Sequence, residues 1–95
     1  MKKNEQMYQS IVNQAYELFE MKNKDYGNAF KQYGAKGLFI LMAGKIKRLE
    51  QLLWKNEEPQ VKNESIEDTL LDLVNYAIMT LICIRENNWD GSENE

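Results

Sequence analysis

The chain has no histidine, one cysteine and one proline among its 95 residues. Without histidine it holds no Ser-His-Asp triad, no imidazole acid or base and no zinc site of the Cys/His kind. A single cysteine forms no internal disulfide and fits a reducing compartment. One proline and five glycines leave long stretches without a helix breaker. No apolar run approaches the roughly 20 residues that span a bilayer; the longest nearly apolar stretch lies between Gly37 and Gly44. The opening MKKNEQMYQS is positive but has no apolar run behind it, so no signal peptide is expected. These absences point to a cytoplasmic chain with no membrane association, whose chemistry rests on carboxylates, Lys, Arg, Tyr and hydroxyls.

What is present suits one small globular domain over residues 1–95, with 4–87 ordered and 88–95 a polar tail in which only Trp89 is expected to dock. The net charge of -3 conceals a split. Residues 1–60 carry ten Lys/Arg against seven Asp/Glu, whereas residues 61–95 carry two against eight. The basic residues are scattered rather than striped and no reading helix is evident, so duplex DNA is not an expected partner.

Three segments show helical periodicity and none shows strand alternation, which predicts an all-α fold of three long antiparallel helices. The first is expected from about Asn4, read as its N-cap, to Lys22, with Met7, Ile11, Ala15, Leu18 and Tyr8, Val12, Phe19 in adjoining apolar rows. Residues 23–35 break the pattern with turn residues, yet carry Tyr26, Phe30 and Tyr33, and admit a short helical turn near 28–32. The second helix is expected from about Lys36 to Trp54, with Gly44 inside it. A polar loop over 55–63 then leads to the third, from about Glu64 to Arg85. Three helices make a thin core, and the wide apolar stripes on two of them invite a partner, so a homo-oligomer is expected.

The third helix is the most informative. Ile66, Leu70, Leu71, Leu73, Val74, Ala77, Ile78, Leu81 and Ile82 cover about half of its circumference. The other half holds Asp68, Thr69, Asp72, Asn75, Tyr76, Met79, Thr80 and Cys83, without the Lys, Glu, Gln and Arg of a solvated face. That composition fits a half-buried polar face opposite another helix or a ligand. Asp68 and Asp72, four residues apart, stack on this face and are candidate ligands for one magnesium ion. Asp68 also completes a capping box with Ser65 and has an ordinary reading as a cap residue. Lys45 and Arg48 interrupt an apolar row on the second helix. They are either snorkelling surface residues or partners of a carboxylate or phosphate. Asp25-Tyr26-Gly27 reads as a turn, with Tyr26 either plugging the bundle end or acting as a lid that places its ring against a base or sugar.

The combination K-x-K-D-Y-G (Lys22 to Gly27), K-x-x-R-L (Lys45 to Leu49) and E-S-I-E-D-T-L-L-D-L-V-N-Y-A (Glu64 to Ala77) resembles the phage and prophage family called nucleotide modification associated domain 1. That family is regarded as related to the MazG-like all-α nucleoside triphosphate pyrophosphohydrolases. The resemblance spans roughly Glu17 to Ile82. It implies a MazG-like helical bundle completed by oligomerisation, a nucleotide or nucleotide-derived ligand and, for a phage gene, the host cytoplasm. Carried over by motif position, the nucleotide-binding residues are Asp25, Tyr26, Lys45, Arg48, Asp72, Asn75 and Tyr76, with Asp68 and Asp72 as the metal pair. MazG-like enzymes set an E-E-x-x-E run against an E-x-x-D pair. Here the helix before the acidic one offers Lys45 and Arg48, and the acids are spaced D-x-x-x-D.

Three readings follow. The first is a protein that binds, acts on or sequesters a nucleotide or nucleotide-derived signal, in nucleotide modification or against host defence. The second is a magnesium-dependent pyrophosphohydrolase. The third is a helical protein-protein adaptor.

Overall fold

A computed structural model describes residues 2–55 and 65–91. Helix α1 spans Lys2–Tyr26, a 3-10 turn spans Ala29–Gln32, α2 spans Gly34–Leu49 and α3 spans Ile66–Arg85. Between α2 and α3, Glu50–Trp54 forms one π-helical turn, with Lys55 N donating to Glu50 O at 3.1 Å. No strand occurs among the described residues, so the all-α expectation holds. Most of the expected 55–63 loop lies outside them.

The helices begin and end a few residues from where they were expected, and α1 differs at both ends. α1 begins at Lys2 rather than being capped at Asn4, and it runs on through Asp25 and Tyr26. It stops where two consecutive residues turn left-handed, Gly27 at φ 51 and Asn28 at φ 61. Glycine and asparagine are the residues that accept this conformation at least cost. Asn23 secures the reversal. Its carbonyl accepts from Gly27 N at 2.7 Å, its Oδ1 accepts from Asn28 N at 3.0 Å, and its Nδ2 donates to Asn28 Oδ1 at 2.8 Å. At α3 the expected cap is present: Ser65 Oγ accepts from Asp68 N at 3.0 Å.

The expected polar tail is docked over Asn88–Gly91. A new helix leaves its first N–H groups without partners, and here the chain end supplies two. Ala35 N donates to Asn88 O at 3.1 Å and Lys36 N to Trp89 O at 2.8 Å. Asn88 is 1% exposed; its Nδ2 donates to Lys31 O at 2.7 Å and its Oδ1 accepts from Gly91 N at 2.9 Å. The backbones of Gly34 and Gly91 touch, both at positive φ, and a Cβ on Gly34 would overlap Gly91 N. Gly44, by contrast, faces open space.

These contacts set the end of α3 against the start of α2, so the two helices run antiparallel. Their core is Ala35, Leu38 and Cys83, flanked by Phe30, Leu41, Tyr76 and Met79. α1 lies on the same side of α3. Among its described side chains the buried one is Ala15, whose carbonyl accepts from Asn75 Nδ2 at 2.9 Å. The first half of α1 leaves Tyr8, Ile11 and Val12 exposed. α3 therefore turns its polar half, Thr69, Asp72, Asn75 and Tyr76, toward its two neighbours, and leaves Leu70, Val74, Ile78 and Leu81 outside.

Candidate functional site

α1, the 3-10 turn and α3 enclose a cleft of about 240 Å³. Spacing places its residues. Phe19, Lys22 and Asn23 are three and four residues apart on α1, so they share one face. Asp72, Asn75, Tyr76 and Met79 do the same on α3. The 3-10 turn carries Ala29 and Phe30, and Tyr33 follows it. Phe19 and Phe30 meet edge to face, with centroids 6.0 Å apart and planes at 69°. That is a favoured aromatic arrangement, and it fixes the cleft wall.

The rim is charged. Asp72 Oδ1 lies 3.3 Å from Lys22 Nζ, and Asp72 Oδ2 lies 3.1 Å from Lys45 Nζ. One carboxylate thus joins a lysine of α1 and a lysine of α2, and the three side chains carry a formal charge of +1. The Asp72 side chain is only 16% exposed and Lys45 only 22%, so the Asp72–Lys45 pair is screened less than an open surface pair. Asn75 has its Nδ2 engaged by Ala15 O, which leaves its Oδ1 as an acceptor. The hydroxyls of Thr69 and Thr80 donate back to Ser65 O and Tyr76 O, at 2.8 and 2.7 Å. Deeper in, burial pushes the Cys83 thiol pKa up, helped by Glu86 and opposed by Lys31.

Of the residues singled out by sequence, Asp72, Asn75 and Tyr76 line this one cleft, and Lys45 reaches it through Asp72. Asp68 is exposed at the start of α3 and Arg48 is half-buried on α2; neither lines the cleft. Asp25 and Tyr26 belong to the last turn of α1 rather than to a loop, and their side chains lie outside the described residues. The structure adds Phe19, Lys22, Asn23, Phe30, Tyr33 and Met79. Phe19 and Met79 read as core or helix-face residues by periodicity alone. The aromatic density of the 23–35 segment is the signal that marks Phe30 and Tyr33.

Magnesium takes oxygen ligands and keeps several waters. Here both Asp72 oxygens face lysines, and among the described residues no group of three or more acidic or thiol side chains gathers round one point. Among the described residues, these donors do not gather round one point as a resident metal ion would need. No described helix is long and apolar enough to cross a membrane.

No curated protein and no solved structure matches the chain. The model of one family, nucleotide modification associated domain 1, matches residues 22–84. That span runs from Lys22 on the cleft rim through α2 and past Met79, the last α3 residue that lines the cleft. The chain belongs to the nucleotide modification associated domain 1 family.

Proposed function

We propose that this protein binds a nucleotide or nucleotide-derived small molecule, with the base in the α1–α3 cleft and the phosphate at its lysine rim, and holds it without cleaving it. The observation that carries this reading is one small aromatic cleft with two lysines at its edge. Sites for drug-sized ligands run from roughly 300 to 1,000 Å³, so about 240 Å³ suits one ring system and leaves charged groups outside. Phe30, Tyr33 and Tyr76 supply ring surface for a base, and base–aromatic stacking contributes about 1–3 kcal/mol per base. Asn75 Oδ1 can accept from a base N–H. Lys22 and Lys45, both cations at the cleft edge, attract phosphate and keep it beside the opening. A carboxylate held between two lysines is poorly placed to gather a metal-bound water, which favours retention over hydrolysis.

A thermal-shift panel of linear and cyclic nucleotides, with and without magnesium, tests the proposal. A ligand at about 100 times its dissociation constant adds about 2.7 kcal/mol, and this reading expects that ligand to be recovered intact. Tyr76→Ala and Lys22→Ala each reduce the shift. Turnover that Asp72→Asn abolishes replaces binding with the pyrophosphohydrolase reading. No shift from any nucleotide removes both and leaves the adaptor.

A further inference from the structure

α3 is the central helix of the protomer, yet the side facing away from α1 and α2 is bare. Leu70, Val74, Ile78 and Leu81 are between 37% and 50% exposed there, with Ala77 among them. Monomers rarely expose a continuous apolar stripe of this kind.

The ends of the stripe say what fits it. Glu67 and Arg85 are both exposed, one in the first turn of α3 and one in the last. Eighteen residues separate them, which is five turns at 3.6 residues each, so both lie on the outer face. The stripe therefore reads acid, apolar, base, with its midpoint beside small Ala77. A helix with that order is complementary to itself run in the opposite direction. A two-fold pairing brings each Glu67 to Arg85 of the other copy and stacks the apolar residues between them.

We propose that the outer face of α3 is the interface between two copies of this chain, with the two α3 helices antiparallel. The pairing does not depend on the nucleotide reading. It does bear on the cleft, because it fixes the helix that supplies Asp72, Asn75 and Tyr76 from the side opposite the ligand.

Sedimentation equilibrium over a wide concentration range tests it. The wild type is expected at twice 11.2 kDa, with a melting temperature that rises with concentration. Val74→Glu with Ile78→Glu is expected to give a monomer with intact helical circular dichroism, since Glu is at least as good a helix former as Val or Ile and both sites are exposed in the protomer. Glu67→Arg alone and Arg85→Glu alone each weaken the assembly, and mixing those two variants restores it, because every facing pair is then opposite in charge. A wild type of 11.2 kDa at all concentrations overturns the proposal, as does an assembly that persists unchanged in the Val74/Ile78 variant. Failure of the mixture to recover what the single reversals lose overturns the antiparallel arrangement. A monomeric wild type that sediments with lipid vesicles gives the stripe to a lipid surface instead.

Discussion

Thr69, Asp72, Asn75 and Tyr76 on one side of α3, and Leu70, Val74, Ile78 and Leu81 on the other, combine opposite chemistry with opposite exposure. An isolated helical protomer normally shows the reverse, with its apolar stripe against the core. On the inner side Asp72 meets a lysine of α1 and a lysine of α2, and the Asn75 Nδ2 donates to Ala15 O of α1. Such contacts fix how α1 and α2 sit on α3, and they leave a cleft where the rings do not close. Apolar contact on the outer side is less directional and suits a surface between like copies. The two proposals together account for this difference: α3 would serve a ligand site on one side and an interface on the other, rather than being a core helix with a polar back.

Substitutions on the two sides should therefore behave differently. The largest effect is expected from Leu38→Ala, because Leu38 is wholly buried in the α2–α3 core. Deleting a buried leucine side chain costs about 2–5 kcal/mol, readable by denaturant titration. Asn75→Ala comes next. It leaves its side of the α1 contact without a donor and is expected to cost about 1–3 kcal/mol. Amide exchange in α1 should quicken more than in α2; equal change in both would mean that Asn75 does not hold α1. Ile78→Ala on the outer side should change the dilute protomer by about 0.5 kcal/mol, as exposed positions do. Its cost should grow with protein concentration as the copies pair. The smallest effect concerns pH. Folding raises the Cys83 pKa by burial, so the stabilising neutral thiol is fully present below the thiol's ordinary pKa. That stability is lost as pH rises toward the folded value, and Cys83→Ala should flatten the alkaline slope of a stability curve.

Much of this contrast could be read from α3 alone. Short acids, an amide and a phenol at three- and four-residue spacing, without Lys or Gln among them, marked Asp72, Asn75 and Tyr76 as a face that is not solvated. Lys45 was visible as a cation inside an apolar row, and its partner Asp72 was among the candidate acids. What spacing could not show is contact between elements. Lys22 and Phe19 join the cleft only because α1 lies on the inner side of α3. Asn88 is buried only because the start of α2, 53 residues earlier, needs partners for its N–H groups. A polar run at the chain end carries no local mark of such capping. The extension of α1 through Tyr26 turned on Asn23 and Asn28, two ordinary turn residues whose mutual hydrogen bonds appear only in three dimensions.

On the proposed function the polar side of α3 receives a nucleotide base. The most direct measurement is NMR of the aromatic ring protons as a nucleotide identified by thermal shift is titrated in. Saturable shifts of the Tyr76, Phe30 and Tyr33 rings, with Leu70, Val74, Ile78 and Leu81 unmoved, are predicted. Shifts confined to the outer four, or rings that stay still while the nucleotide binds, would contradict it.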